Sequence, residues 1–368
     1  MRVALYSAFF LPQVGGTERF TDVLADFLAR DGHEVTVVTL VPLGPCEELR
    51  LPYPVIRNPS SVRWVQIARD SDVVHVNTSI RLTLASCAGL HRPIQTHHSP
   101  HTICPGDWAF GEGGSACTAS SDRPGPCPNC PGRNLRGRIK MAGRRACVHL
   151  AKANVSVSQY LDQRLGLPRS VTIYNPVDPQ AFLSGDLWPG EDGLVAFAGR
   201  LVDLKGLGLL IRALALVPEA RLEVIGDPPE LWPKWKELAD KYGVGRRVKY
   251  VGSKGLDEVL ELYARAAVVC VPTLSEEPFG YAAAEAMAAG RAVVATPRGA
   301  LPELLADDRG FVSYSVDPSD LAVALRRALE DPERKSKAEQ RARGFAEAHF
   351  DCAVVGRRYV ELYNQCAS

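Results

Sequence analysis

The stretch "AVVCVPTLSEEPFGYAAAEAMAAGRAVVAT", residues Ala267 to Thr296, changes character three times. An apolar β-branched run leads into a loop with Glu276 and Glu277, then an alanine-rich segment carrying Glu285 and closed by Gly290, then a second apolar run. Short apolar runs rich in valine read as buried strands, and alanine favours helix. Pro278 suits the first turn of a helix and Gly290 the end of one, so the spacing predicts a helix over Phe279–Ala289 between two strands.

The same alternation extends outward through the chain. "GLVAFAG", "RLEVIGD", "RVKYVG" and "GFVSY" repeat it in the second half, each followed by a helical pattern. In the first half it runs through "RVALYSAFF", "EVTVVTL", "YPVIR", "DVVHVN" and "RPIQTHH", with a helix at Thr17–Arg30 and another near Ser61–Arg69. Continuous apolar strands separated by helices imply parallel sheets covered on both faces. The turn-rich segment Tyr174–Gly193 divides the two series. The expectation is an α/β protein of two doubly wound, Rossmann-like domains, one over 1–183 and one over 190–346. A last helix over 347–368 carries Val355, Tyr359, Leu362 and Tyr363 on one stripe and must pack against something.

The chain has 368 residues, long enough for two cores, and a net charge of +1 that offers no field for nucleic acid. The apolar start "MRVALYSAFFLP" lacks a small-residue cleavage site and runs into a glycine turn, so it reads as a first strand and the protein as cytoplasmic. Six of the ten cysteines are scattered among apolar neighbours, as buried thiols often are.

Ligands of open α/β sheets sit beyond the carboxyl ends of the strands, so the loops there are where chemistry belongs. After the first strand, Gly15 and Gly16 precede a helix with Thr17 as N-cap; close backbone approach and free N–H groups suit an anion, although a plain tight turn has the same sequence. No GxGxxG run follows any strand, which argues against a nicotinamide enzyme. In the second half, Arg200 and Lys205 lie between Gly199 and Gly206 after a strand, a pairing able to clamp a diphosphate or simply to be solvated.

Glu277 and Glu285 are eight positions apart, a rise of roughly 12 Å on a regular helix. Glycosidase carboxyl pairs stand roughly 5–9.5 Å apart, so a hydrolase pair fits poorly. One extended ligand fits better: a nucleotide-sugar whose sugar hydroxyls meet Glu277, whose ribose meets Glu285, and whose phosphates meet Arg200, Lys205 and the helix N-terminus.

"GRLVDLKG", "VPTLSEEPFGYAAAEAMAAGRAVVAT" and "LPELL…GFV", with "FLPQVGGTERF" and "YNPVD" in the first half, together resemble glycosyltransferase family 4, retaining enzymes of the two-Rossmann GT-B fold. The resemblance implies that Glu277 and the backbone at Phe279–Gly280 bind the transferred sugar and Glu285 the ribose. It implies that Arg200 and Lys205 bind the diphosphate, that Gly16 approaches it from the other domain across a cleft, and that the last helix crosses back to the first domain. It places His98 of "QTHHSPHTICPGDW" at the donor sugar or reaction centre, with His97 second and Ser99 where the family has Asp. Two departures are "GDPP" at Gly226–Pro229 and Pro176 after Asn175.

Cys104, Cys117, Cys127 and Cys130 lie in an insertion near 98–132 rich in Gly, Pro and Ser; a structural zinc held by four thiolates is the expectation, against disulfides or free thiols. The following segment, 133–152, sets Arg133, Arg136, Arg138, Lys140, Arg144, Arg145 and Lys152 against Leu135, Ile139, Met141 and Val148, a pattern for a solvated face or for peripheral contact with an anionic membrane surface on its cytoplasmic side.

The function expected is transfer of a hexose from a UDP-, GDP- or ADP-sugar to a hydroxyl of a glycan, lipid-linked or small-sugar acceptor, with retention and without a catalytic cofactor. A synthase or phosphorylase using a free sugar or phosphate, and a non-catalytic sugar-nucleotide scaffold, are the alternatives.

Overall fold

The computed structural model describes residues 1–12, 15–42, 51–77, 80–88, 92–103, 135–182 and 190–367. They form two compact units, one of Met1–Pro176 with Asp351–Ser368 and one of Val177–Phe350.

The first unit contains β1 (Arg2–Ser7), α1 (Gly16–Arg30), β2 (Glu34–Thr39), β3 (Val55–Arg57), α2 (Ser61–Asp70), β4 (Val73–Asn77), α3 (Ile80–Ala88), β5 (Ile94–His97), α4 (Leu135–Leu150), β6 (Ala153–Ser156), α5 (Gln159–Leu165) and β7 (Ser170–Thr172). Its seven strands are ordered β3-β2-β1-β4-β5-β6-β7 and every pair is parallel. Successive side chains of β1 serve opposite faces, as the pleat requires. Val3 and Leu5 join Phe20, Leu24 and Leu28 of α1, whereas Ala4 and Tyr6 join Trp64, Ile67 and Ala68 of α2. That double coverage is why β1 reads as unbroken apolar sequence.

The second unit runs β8 (Glu191–Ala198), α6 (Leu207–Leu214), β9 (Arg221–Ile225), α7 (Trp232–Lys241), β10 (Val248–Gly252), α8 (Leu256–Arg265), β11 (Ala266–Val271), α9 (Tyr281–Ala288), β12 (Val293–Ala295), α10 (Leu301–Leu304), β13 (Phe311–Val312), α11 (Pro318–Glu330) and α12 (Pro332–His349). Its six parallel strands are ordered β10-β9-β8-β11-β12-β13. In both sheets the chain reverses its direction of winding beside the first strand, between β1 and β4 and between β8 and β11. Those two switch points are where such sheets leave a crevice for ligand.

The last helix, α13 (Cys352–Ala367), returns to the first unit. Val355, Tyr359 and Tyr363 are fully buried there against α1 and the sheet, and Leu362 of the expected stripe is half-buried. Its two tyrosines also make polar contacts. His75 of β4 is 1% exposed, with Nδ1 2.7 Å from the Tyr363 hydroxyl and Nε2 2.7 Å from Thr96 Oγ1. Thr96 in turn lies 3.1 Å from the Tyr359 hydroxyl. One buried imidazole thus ties the returning helix to two strands.

The structure corrects the sequence reading locally. Thr17 is not the N-cap of α1: Gly15 is, in extended conformation with no side-chain cap, and Thr17 lies inside the helix, where its carbonyl accepts from Thr21 Oγ1 at 2.8 Å. Helix α9 starts at Tyr281, later than Phe279, because Gly280 has φ 94°, a left-handed value no helical residue takes. Strands β6 and β7 had no apolar run to announce them, being "ANVS" and "SVT". Of the scattered cysteines, Cys147 and Cys270 are buried and Cys87, Cys352 and Cys366 half-buried, all as free thiols.

Burial pushes the pKa of His75 down to about 3 and that of His97, fully enclosed beside Asn154, down to about 4. An unfolded histidine takes a proton near pH 6.5. Between that pH and the folded values the unfolded chain holds protons the folded chain does not, so stability falls as pH falls. The two histidines should remove about 2–3 kcal/mol per pH unit near pH 5. Urea unfolding at a series of pH values checks this, with His75→Gln expected to make the slope shallower by about 1.4 kcal/mol per pH unit; a flat profile between neutral pH and pH 5 would contradict it.

Candidate active site

The second unit brings together the residues around its switch point. Between β8 and α6 the chain makes a short 3-10 turn, Asp203–Lys205, that ends at Gly206. Leu204 faces the loop after β11: its carbonyl accepts from Leu274 N at 2.8 Å and from Thr273 Oγ1 at 3.1 Å. Gly206 makes that approach possible. It has φ 76°, and a Cβ there would stand 1.8 Å from the Pro272 carbonyl oxygen. The two loops are therefore stitched together across the β8/β11 boundary.

Their junction places the Lys205 ammonium on Glu277 Oε1, in an ion pair that is also a hydrogen bond. The Lys205 side chain is 29% exposed and that of Glu277 13%. A pair so enclosed is screened less than one at the surface, and each partner fixes the other's rotamer. The sequence reading set Glu277 on the sugar and Lys205 on the adjoining diphosphate; in the structure the two side chains also pair with each other.

Phe279 and Gly280 follow within the same loop, both buried, with the Phe279 ring edge-on to Tyr281 and to Phe350. Glu285 is 5% exposed on α9, whose other buried residues are alanines and Met287. Small side chains let α9 lie close to β11, β12 and α12. A carboxylate so enclosed is not a surface charge. Arg200 follows β8 and is exposed. The opposite, amino ends of these strands carry a different kind of polar group. There Arg265 bridges Glu191 at 2.8 Å and Glu223 at 2.7 Å, and Lys249 joins Glu223 at 3.0 Å, a network that ties strand starts together.

In the first unit, Gly15 is half-buried and Gly16 is the exposed first residue of α1. His98 follows β5 and is half-buried; its ring packs edge-on against Phe20 at 4.6 Å, and Nε2 lies 3.4 Å from Asn77 Oδ1. Enclosure, then the neighbouring His75 and His97, pushes its pKa far below the ordinary histidine range, so it is neutral at pH 7. Asn77, at the end of β4, also donates to Thr21 Oγ1 at 2.7 Å, so α1, β4 and the His98 loop share one polar chain. No motif pointed to Asn77; its only signal was its place at a strand's end. His97 is fully buried, 2.9 Å from Asn154 Oδ1 and 3.3 Å from His101, and acts within the core.

Cys104, Cys117, Cys127, Cys130 and Arg133 lie outside the described residues. Among the described residues no group of three or more His, Cys, Asp or Glu side chains could hold a metal ion. Nor is any described helix long and apolar enough to cross a membrane.

Comparison with known proteins gives these units an identity. Residues 14–181 match the model for Glycosyltransferase Family 4, and residues 183–345 match that for Glycosyl transferases group 1. The two matches meet at residue 182 and leave out only the chain ends. The chain belongs to this glycosyltransferase family. Among curated relatives, the D-inositol 3-phosphate glycosyltransferase of Corynebacterium aurimucosum is 33% identical over 193 residues, 49% of this chain and 45% of the relative. That of Stackebrandtia nassauensis is 34% identical over 192 residues, 46% of this chain and 43% of the relative. The chain thus spans less than half the length of the curated relatives it matches.

Solved structures agree over nearly the whole chain. Sucrose-phosphate synthase from Thermosynechococcus elongatus superposes with a TM-score of 0.77 at 20% identity, covering 99% of this chain and 98% of the other. Anabaena HepE in complex with UDP-glucose gives 0.74 at 20% identity, covering 99% and 100%. At such identity the likeness is one of fold, and the fold is GT-B, with two Rossmann-like domains.

Gly206→Ala should destabilise the protein by about 2 kcal/mol or more, because the substitution meets both a left-handed backbone and the Pro272 carbonyl. A lowered thermal midpoint checks this; wild-type melting would mean that the two loops are not held as described.

Proposed function

We propose that this glycosyltransferase is a retaining hexosyltransferase that moves a sugar from a nucleoside diphosphate to a hydroxyl acceptor. The observation that carries the reading is the Lys205–Glu277 pair at the β8/β11 switch point, where this family's fold leaves its ligand crevice. Lys205 and Arg200 hold the diphosphate, and charge separating onto it as the glycosidic bond breaks is stabilised electrostatically. Glu277 and the Phe279–Gly280 backbone receive the sugar hydroxyls, and Glu285 the ribose. In the first unit this reading assigns Gly15, Gly16 and neutral His98 to contacts with the donor, His98 as a hydrogen-bonding group.

In the reaction so assigned, the acceptor oxygen bonds to the anomeric carbon on the face the phosphate leaves. The anomeric carbon–phosphate oxygen bond breaks, and the acceptor's proton passes to a phosphate oxygen. No protein nucleophile takes part. The protein supplies position and charge, and Glu277 bears on the positive charge developing in the sugar.

UDP-, GDP- and ADP-hexoses are the donors to test. Acceptors should include inositol phosphates, suggested by the names of the curated relatives, alongside free sugars, glycans and lipid-linked sugars. The wild-type enzyme should release nucleoside diphosphate from one of these donors and transfer its sugar. Glu277→Gln should lower kcat by about 10²–10³-fold in a protein that remains folded, with a thermal midpoint lowered by loss of the ion pair to Lys205. Wild-type turnover in that variant, or no turnover of any donor by the wild-type enzyme, would remove the reading.

A lipid-linked acceptor is favoured by one further feature, the exposed face of α4. Leu135 and Ile139, one turn apart, are 72% and 63% exposed among exposed Arg136, Arg138 and Lys140. Exposed aliphatic side chains amid cations suit the interface of an anionic bilayer. Binding to phosphatidylglycerol vesicles should be lost in high salt and in Ile139→Asp; failure to bind such vesicles at low salt would count against this acceptor class.

A further inference from the structure

Arg298 lies just past β12, at the same carboxyl edge of the sheet as Lys205 and Glu277, and no motif marked it. Its backbone is pinned: its N–H donates to Thr296 O at 2.8 Å, and its carbonyl accepts from Leu301 N at 3.3 Å. The two residues that follow sit on Glu277 itself. Ala300 N donates to Glu277 O at 2.8 Å, and a Cβ on Gly299 would stand 2.1 Å from that oxygen and 2.3 Å from Glu277 N. The loop bearing Arg298 therefore moves only with the loop bearing Glu277.

The Arg298 side chain is half-buried, and its Nε is out of reach of solvent without a hydrogen-bond partner. No hydrogen bond or ion pair of its guanidinium occurs among the described residues. Other arginines of the unit are used structurally: Arg309 donates to Leu304 O at 2.8 Å and Glu303 O at 2.9 Å, and Arg247 to Ala220 O at 2.7 Å. Withdrawing a charged group's N–H from water without a partner is costly, so a guanidinium with its Nε in that state and its terminal nitrogens not so enclosed suits a site whose anion arrives from outside.

Formal charge gives the anion's class. Glu277 takes up the charge of Lys205 directly, so that ammonium brings little net charge to a diphosphate. Arg298 adds a cation at the same carboxyl edge of the sheet. We propose that Arg298 is a donor-binding residue that contacts the phosphates of a nucleoside diphosphate. This rests on the donor reading above and adds to it a residue which that reading did not contain.

Calorimetric titration of the whole chain with UDP, GDP and ADP, and with uridine, guanosine and adenosine, tests the assignment. For whichever diphosphate the wild-type protein binds, Arg298→Met, which keeps the aliphatic stem, should weaken binding by about ten- to a hundredfold. Affinity for the matching nucleoside should not change, Arg298→Lys should fall between, and the dependence of binding on salt should become shallower in Arg298→Met. Its thermal midpoint should stay at or above that of the wild type, since the guanidinium has no partner to lose.

Unchanged diphosphate affinity in Arg298→Met, while the wild-type protein binds, would overturn this assignment and leave the donor reading standing. Equal loss of diphosphate and nucleoside affinity, or a lowered midpoint without a phosphate-specific loss, would make Arg298 structural and also overturn it. A wild-type protein that binds none of the three diphosphates would overturn the donor reading and this assignment with it.

Discussion

The ion pair between Lys205 and Glu277 joins two loops that the chain separates by most of a sheet. It depends on Gly206 allowing the β8 loop to press on Pro272, and on Leu204 accepting the N–H of Leu274. β8 and β11 are neighbours from which the winding runs in opposite directions, the place where such sheets leave a crevice at their carboxyl ends. A cation and a carboxylate set there face each other with little water between them.

Polar groups are disposed unequally along the second sheet. At the amino ends, Arg265, Glu191, Glu223 and Lys249 satisfy one another and connect strand to strand. At the carboxyl ends the polar groups are tied to loops, and one guanidinium is left with its Nε unsatisfied. The first unit puts its polar investment deeper. His75, Thr96, Tyr359 and Tyr363 form a closed set inside the core, and one helix face of α1 links it to His98 through Phe20. Neutral imidazoles suit this role because each presents one donor and one acceptor with no charge to desolvate.

Much of this was legible in the sequence, and for a physical reason. A strand buried on both faces must be apolar throughout, so β1, β2, β4, β8, β9 and β11 appear as runs. The glutamates and basic residues after them stood out against that background. Two strands escaped, β6 and β7: "ANVS" and "SVT" are too short and too polar to carry a period. The start of α9 was misplaced because composition cannot show that Gly280 is left-handed. Arg298 was hidden for a related reason. Its meaning lies in what it does not touch, and a sequence records neighbours along the chain but not the lack of partners in space.

The Lys205–Glu277 pair has to be compatible with an incoming diphosphate if the proposed reading holds, and its chemistry allows this. An ammonium has three N–H donors, of which Glu277 Oε1 engages one. The carboxylate acts as a tether: it fixes a long, rotamer-rich side chain before the ligand arrives, so less entropy is lost when phosphate binds. Its second oxygen is left for a hydroxyl donor, which a sugar provides and a phosphate does not. The tether also cancels the charge it positions. A site built this way gains geometry at the expense of field, and a further cation is then needed on the phosphate side. That requirement, rather than sequence proximity, connects a residue after β12 to a pair formed between the loops after β8 and β11.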